Sequence, residues 1–155
     1  LILRTSWIYA ARGRNFLLTI RRLLKEKDEL RVVSDQIGAP TSAGALANAT
    51  AQLLRRRNSM ALDNARSIYH ITAAGHTSWH EFAVEIARLE RAPREIRLVP
   101  IASSEYPLPA RRPKSSRLSN EKLFRHFGLK LPSWQACLKA CHAELREGKR
   151  LGAGA

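Results

Sequence analysis

Side chains that could bind a ligand follow the first apolar run of the chain. Residues 1–3 are typical of a buried strand, and Thr5, Ser6 and Trp7 come at its end. Ligands of parallel sheets bind beyond the carboxyl ends of the strands, so these side chains are candidates for a site. A broad aromatic surface flanked by hydroxyls suits a sugar or a nicotinamide ring. A tryptophan that only fills the core is the alternative at position 7.

A second candidate region is the loop that runs from Gln36 to Thr41 and contains Gly38 and Pro40. Gly38 has no side chain and so allows the backbone to approach a ligand closely. Further along, Arg112 follows another arginine and precedes a proline, and guanidinium groups bind phosphates through a fork of N–H donors. The alternatives are an ordinary strand-to-helix loop, capped by residue 41 or 42, and a pair of solvated arginines.

Catalytic groups for nicotinamide chemistry are missing from the sequence. It contains no glycine-rich dinucleotide fingerprint. Its three tyrosines are followed four residues later by Gly13, Ala73 and Ala110, so none has a lysine on the same helical face. We therefore assign no catalytic residue within this chain.

Two groups of potential metal ligands have a spacing that favours structural roles. His76 and His80 are four residues apart, and Cys137, Cys141 and His142 lie on one predicted helix. His76 precedes the predicted helix start, and the cysteines share an apolar face while His142 points elsewhere, so we predict no metal site. Cysteines four apart on a helix suit reduced thiols better than a disulfide, which favours a cytoplasmic protein.

Strand and helix patterns alternate along the chain and predict the α/β class. We predict strands at residues 1–3, 30–33, 67–72 and 96–103, and helices at 16–27, 42–57, 78–91, 120–127 and 134–145. The predicted helix starts have as N-caps Asn15, Ser78 (in a capping box with Glu81), Ser119 and Ser133. Residues 58–66 and the proline-rich basic segment 106–118 are predicted loops.

The composition predicts one globular domain with an unusual charge. The chain has 155 residues, 45% of them hydrophobic, and a formal net charge of +14. No segment has the pattern of a signal peptide or a membrane span, so we predict no membrane association. The charge raises the possibility of a nucleic-acid-binding module, but the basic residues are scattered and no nucleic-acid-binding motif accompanies them. We therefore predict no nucleic-acid partner.

Four motifs together resemble one enzyme family. They are "RTSWIYA", "VVSDQIGAPTSA", "IYHITAAGHTSWHEFA" and "YPLPARRPKSSRLSNEKL", in this order. The chain resembles the C-terminal half of the dTDP-4-dehydrorhamnose reductases, which are extended short-chain dehydrogenases with a Rossmann-type NAD(P)-binding domain and a small substrate-binding domain. The resemblance extends from Leu1 to about Leu145.

The resemblance implies a domain organisation and roles for the candidate residues. Residues 1–145 would be the substrate-binding half, with 1–27 the last part of the Rossmann core and 146–155 a flexible tail. The cofactor would be NADPH, with NADH as the alternative, and the substrate a dTDP-sugar. Trp7 would flank the deoxysugar, and Thr5 and Ser6 would line the nicotinamide end. The residues implied near the nucleotide and its diphosphate are Gln36, Gly38, Pro40, Thr41 and Arg112.

The family's glycine-rich loop and its Tyr-x-x-x-Lys pair lie before the "RTSW" motif. We therefore expect the chain to be a fragment that needs an N-terminal Rossmann half as its partner; a homodimer and a metal requirement are left open. The regulatory subunit of methionine adenosyltransferase resembles the same family and acts by binding a partner, so a non-catalytic role is the alternative. An intact Tyr-x-x-x-Lys pair upstream would favour the enzyme.

Overall fold

The computed structural model describes residues 1–57, 68–90, 96–106, 110 and 112–152 of the chain. Strands and helices alternate along it, which confirms the predicted α/β class. The strands are β1 (Ile2–Arg4), β2 (Ile8–Tyr9), β3 (Glu29–Val33), β4 (Ile37–Gly38), β5 (Thr41–Ser42), β6 (Ile68–His70), β7 (Thr77–Ser78) and β8 (Arg97–Ile101). The helices are α1 (Phe16–Glu26), α2 (Ala43–Arg57), α3 (Trp79–Glu90), α4 (Glu121–Phe127) and α5 (Trp134–Gly152).

Parallel pairing predominates among the strands of the described residues. β1 pairs with β6, β2 with β5 and β3 with β8 in parallel, whereas β4 and β7 pair antiparallel. Each parallel pair is connected through at least one helix, because parallel strands cannot be joined by a tight turn. The four predicted strands correspond to β1, β3, β6 and β8. The other four strands were not predicted, because two residues are too few to show a periodicity.

The start of α1 follows the prediction, because Asn15 caps the helix. The side-chain oxygen of Asn15 accepts a hydrogen bond from the Leu18 N–H at 3.2 Å. One face of the helix is buried at helical spacing and consists of Leu17, Ile20 and Leu24. Ser42 acts in the same way for α2, since its hydroxyl accepts a hydrogen bond from the Ala45 N–H at 3.2 Å.

The predicted capping box is present at the start of α3. The Ser78 hydroxyl accepts a hydrogen bond from the Glu81 N–H at 3.0 Å, and the Glu81 carboxylate accepts one from the Ser78 N–H at 3.1 Å. The Thr77 hydroxyl donates a further hydrogen bond to this carboxylate at 2.9 Å. These hydrogen bonds hold the pKa of Glu81 below its usual value. The predicted end of the helix at residue 91 lies outside the described residues, as does the loop predicted at 58–66.

The prediction that Ser119 caps α4 is confirmed only in part: Asn120 occupies the N-cap position, but the Ser119 hydroxyl accepts a hydrogen bond from the Glu121 N–H at 3.3 Å. The Asn120 amide does not cap the helix, but pairs with the backbone of Thr72. Its oxygen accepts a hydrogen bond from the Thr72 N–H at 3.0 Å, and its NH₂ group donates one to the Thr72 carbonyl at 2.8 Å. The Asn120 side chain thereby binds the backbone of the chain two residues beyond the end of β6. Gly128 ends α4 with φ of 61°, as predicted.

α5 begins as predicted and ends later. Ser133 caps it by accepting a hydrogen bond from the Ala136 N–H at 3.2 Å. The helix extends to Gly152, so residues 146–152 are helical where the sequence analysis assigned a flexible tail. Lysine, arginine and glutamate in this stretch are good helix formers and favour the extension, whereas Gly148 and Gly152 oppose it.

Two groups of buried apolar side chains form the core. The first joins α1, α3, α5 and β3, and includes Leu17, Phe82 and Leu138. The second packs α2 and α4 against β6, and includes Leu53 and Tyr69. None of the helices within the described ranges is long and apolar enough to cross a membrane.

The apolar side chains at the start of β1 are exposed in this chain. The sequence predicts a strand buried on both faces in the intact fold, but here Leu1 is 56% exposed and Ile2 is 58% exposed. Among the described residues β1 pairs with β6 alone. Its exposure is what a strand shows when one neighbour in a sheet is not part of the chain.

Candidate functional site

Three segments that are distant in sequence meet at β4: β4 itself, β7 with the start of α3, and residues 112–116. On one side, β7 pairs with β4 so that Gly38 lies opposite Thr77. On the other side, the Ile37 N–H donates a hydrogen bond to the Lys114 carbonyl, and the Ser116 N–H donates one to the Ile37 carbonyl, both at 2.8 Å. This pairing brings the start of α3 and the segment 112–116 to the same edge.

A cavity of about 400 Å³ lies where these segments meet. Its lining consists of Trp7, Gln36, Trp79, Arg112, Pro113 and Ser116. Three residues predicted from the sequence are therefore brought together, namely Trp7, Gln36 and Arg112. An arginine, an amide and two indoles around one cavity can bind a ligand that has both polar or anionic groups and ring surfaces.

Trp7 has an unusual backbone conformation. Its φ of 49° lies in the left-handed region, and it is the non-glycine residue with positive φ in the described part of the chain. An aromatic side chain in this region costs about 1–3 kcal/mol, and such residues cluster at functional sites. The strain therefore supports a functional role for Trp7. This evidence comes from the backbone and does not depend on the side chain being an indole.

Both faces of the Trp7 indole are covered. The Trp79 ring stacks on it with the centroids 3.6 Å apart and an angle of 8° between the planes. A Cβ atom at Gly38 would lie 2.3 Å from Cε2 and 2.6 Å from Nε1 of Trp7. Since Trp79 fills one face, the Gly38 backbone covers the other. The sequence analysis expected an open stacking face for a sugar, whereas here the cavity meets the edge of the indole.

Thr5 and Ser6 have hydroxyls that could bind a cofactor or substrate. Both hydroxyl oxygens are buried without a hydrogen-bond partner among the described residues. A buried hydroxyl without a partner costs about 1–3 kcal/mol, so native proteins rarely leave it unpaired. The Tyr9 hydroxyl is buried without a partner in the same way, and neither Thr5 nor Ser6 lines the cavity, so their contact with a nicotinamide cofactor stays a prediction.

The loop that carries Gln36 is anchored by Asp35. The two carboxylate oxygens of Asp35 accept hydrogen bonds from the Ser103 N–H and from the Ser103 hydroxyl, each at 2.9 Å. These hydrogen bonds lower the pKa of Asp35. The Ser34 N–H also donates to the Ile101 carbonyl at 2.9 Å. The two residues directly before the loop are thus tied to the end of β8 and to Ser103.

Pro40 and Thr41 are buried and do not line this cavity. The Thr41 hydroxyl donates a hydrogen bond to the Ala39 carbonyl at 2.9 Å and accepts one from the Ala73 N–H at 3.1 Å. The geometry therefore gives Thr41 a role in joining β5 to the segment after β6. Direct contact of these two residues with a ligand remains a prediction.

Sequence reasoning missed Trp79 as a site residue. The apolar period of α3 indicates a core side chain, and part of its ring does pack against Phe16, with the centroids 4.5 Å apart. Its place in the cavity depends on the register of β4 and β7, which the sequence does not reveal. The only available clue was the capping box, which fixes Trp79 as the first residue of the helix.

A larger cleft of about 750 Å³ lies between α2 and α5, away from the predicted residues. Cys137 and Cys141 contribute to its wall as free, buried thiols. Burial raises the pKa of Cys137 and raises that of Cys141 to about 11, so both are protonated at neutral pH and poorly reactive. Within the described ranges, no three His, Cys, Asp or Glu side chains are grouped to hold a metal ion.

Parallel strand pairs joined through helices, with a cavity beside β4, define an α/β protein with a candidate binding site. The family model "RmlD substrate binding domain" matches residues 1–147, and the chain belongs to this family. It has the fold of the C-terminal part of an extended short-chain dehydrogenase, together with the small substrate-binding domain.

Several relatives carry the same name. A dTDP-4-dehydrorhamnose reductase of Burkholderia thailandensis is 46% identical over 94% of this chain and 51% of its own length. The protein of that name from Escherichia coli K12 is 44% identical over 94% of this chain and 49% of its length. A crystal structure of the Bacillus anthracis reductase in complex with NADP superposes with a TM-score of 0.82 at 34% identity, over 92% of this chain and 48% of that one. The chain thus spans about half the length of its relatives.

Proposed function

We propose that this chain is the substrate-binding half of an NADPH-dependent dTDP-4-dehydrorhamnose reductase. The whole enzyme would reduce the 4-keto group of dTDP-4-dehydro-L-rhamnose to the hydroxyl of dTDP-L-rhamnose. NADPH, or NADH as the alternative, supplies the hydride when it is bound. Membership of the family and the names of the relatives support the proposal. A cytoplasmic location belongs to it and is supported by the free thiols.

The observation that carries the proposal is the cavity shared by Trp7, Gln36 and Arg112. The Arg112 guanidinium offers parallel N–H donors to a diphosphate, and the Gln36 amide can donate to or accept from a sugar or base. Trp7 limits the position of the sugar ring. The buried hydroxyls of Thr5 and Ser6, directly before Trp7, are suited to hold the nicotinamide end of the cofactor beside it.

The second half of the enzyme is proposed as an N-terminal Rossmann segment that supplies the dinucleotide-binding loop and the Tyr-x-x-x-Lys pair. Its contact surface on this chain would include the open edge of β1 and exposed apolar side chains. Those proposed for it are Leu1, Ile2 of β1, Ile8 of β2 and Leu54 of α2. Burial of these side chains by a partner is favourable at about 25 cal/mol per Å² of apolar surface.

The test is NADPH oxidation by the full-length protein and by this chain alone, each with dTDP-4-dehydro-L-rhamnose. We expect turnover by the full-length protein and none by the isolated chain, which lacks both the dinucleotide fingerprint and the tyrosine–lysine pair. No keto-sugar-dependent oxidation by the full-length protein would contradict the proposal. Turnover by the chain alone would contradict the assignment of catalysis to the other half.

Substitutions in the full-length protein test the site itself. Trp7→Ala and Arg112→Gln should each lower kcat/KM for the sugar nucleotide by roughly 10- to 100-fold, because misplaced reacting atoms are costly in hydride transfer. The affinity for NADPH should stay nearly unchanged. Lys114→Gln is the matched control, since this exposed cation lies two residues from Arg112 and does not line the cavity. Equal losses for Arg112→Gln and Lys114→Gln would argue for a general effect of charge.

A further inference from the structure

The proposed site contains an aromatic residue whose role goes beyond filling the core. Trp79 lines the cavity, stacks on Trp7 with the centroids 3.6 Å apart, and contacts Phe16 on the side of the core. It is the first residue of α3, so the capping box formed by Ser78 and Glu81 fixes its backbone. Trp79 therefore connects a rigid helix start to the residue with the strained backbone.

We propose that Trp79 is a positioning residue for Trp7. Together with the Gly38 backbone it clamps the Trp7 indole between two flat surfaces and presents the edge of the ring to the cavity. The substrate side of this inference rests on the proposed function, whereas the clamp itself does not.

The clamp accounts for the unusual conformation of Trp7. A residue with φ of 49° persists only where its surroundings determine the side chain's position. Stacking on Trp79 holds one face of the ring, and the missing side chain at Gly38 lets the backbone approach the other face. Loss of either surface frees the indole to rotate and the backbone to relax.

The clamp also selects the chemistry that Trp7 can offer. An indole with both faces covered cannot stack on a sugar ring or a base. Its edge carries positively polarised hydrogens, which attract oxygen atoms. We infer that Trp7 contacts hydroxyl, keto or phosphate oxygens of the sugar nucleotide through its edge, and that a stacked nucleobase lies elsewhere.

The experiment uses the full-length protein labelled with 5-fluorotryptophan and observed by ¹⁹F NMR. The Trp7 resonance is assigned by its loss in Trp7→Phe. Trp79→Leu removes the stacked ring and its ring-current shielding, so the Trp7 resonance should move. Trp79→Phe keeps an aromatic ring there and should restore most of the native shift. Trp134→Phe, which alters another indole of the same core, should leave the Trp7 resonance in place.

Kinetics of the same variants complete the test. Trp79→Leu should lower kcat/KM for the sugar nucleotide by ~10-fold or more, with NADPH affinity unchanged, and Trp79→Phe should rescue it. A Trp7 resonance that does not move in Trp79→Leu would overturn the clamp. A resonance that moves without a loss of kcat/KM would overturn the positioning role. If the wild-type protein has no turnover, the proposed function fails, and the NMR comparison alone decides whether Trp79 holds Trp7.

Discussion

Gly38 and Trp7 form a pair in which each residue depends on the other. The Trp7 indole occupies the space in which any other residue at position 38 would place its Cβ atom. Gly38 is itself buried and paired in β4, so the backbone cannot easily move away. The glycine is therefore required by close approach to a side chain, and not by its own φ angle.

Gly38→Ala should destabilise the protein by about 1–3 kcal/mol, because the added methyl group overlaps the indole and forces a shift. Gly44→Ala is the matched control, since a Cβ there meets no atom within 4 Å. As Gly44 lies in α2, alanine should stabilise by about 0.5–1 kcal/mol. Urea unfolding of the full-length variants measures both changes. Equal midpoints for the two variants would refute the packing argument.

At the scale of elements, the helix starts that depend on local sequence patterns were predicted correctly. Asn15, Ser133 and the Ser78–Glu81 capping box are short-range signals, and α1, α5 and α3 begin where these signals place them. Residues 119 and 120 show the limit of this reasoning. The Ser119 hydroxyl does bind the first N–H of α4, whereas the tertiary contact between Asn120 and Thr72 decides what the asparagine side chain does.

For the candidate site, too, the sequence predicted some residues and missed others. Trp7, Gln36 and Arg112 share the cavity, as expected for residues at strand ends and in loops. Trp79 was missed, because its position depends on the pairing of Gly38 with Thr77. Thr41 looked available for a ligand, but its hydroxyl is used by two backbone groups that lie close only in the folded chain.

The start of α3 should contribute to acid sensitivity. The pKa of Glu81 is lower in the folded protein than in the unfolded chain, because Ser78 and Thr77 donate hydrogen bonds to its carboxylate. A depressed pKa adds stability that is present above the unfolded-state pKa and is lost as pH falls through the folded-state value. Thermal unfolding between pH 7 and pH 3 should therefore show a smaller loss of stability for Glu81→Gln than for wild type. Parallel curves would contradict this contribution.

At the scale of the whole molecule, the exposed apolar side chains are most frequent at the start of the chain. Of the five large apolar side chains in the described residues that are more than half exposed, three are Leu1, Ile2 of β1 and Ile8 of β2, and the other two are Leu54 of α2 and Tyr106. The helices α1, α3 and α5 are joined by side-chain contacts, since Arg21 of α1 and His142 of α5 both contact Glu90 of α3. The distribution supports a missing neighbour beside β1 rather than a generally loose fold.

The isolated chain should self-associate or remain partly unfolded unless the N-terminal half is supplied. An open strand edge and exposed apolar side chains promote pairing with other chains. The net charge of +14 opposes association, but salt screens it beyond about 8 Å. Light scattering combined with thermal unfolding measures the effect. A sharp transition of a monomer, independent of concentration, would contradict the prediction.

A pair of variants locates the surface responsible. Leu54→Lys replaces an exposed leucine of α2 and should reduce scattering by the isolated chain. Val84→Lys replaces an exposed valine of α3 and should change scattering much less. The helix α3 packs in the first core group, whereas α2 packs in the second. Equal effects would indicate that added charge, and not the exposed leucine of α2, controls association.

The long sequence separation between paired strands has a consequence for synthesis. Ile2 pairs with Ile68 and Glu29 pairs with Arg97, so neither pair can close as a hairpin. A ribosome adds about 5–20 residues per second, and β1 therefore emerges several seconds before β6 is available. During this interval the nascent chain carries an unpaired apolar strand. We expect chaperones that bind short extended apolar segments to recognise β1 during this interval, and to release it when β6 leaves the exit tunnel.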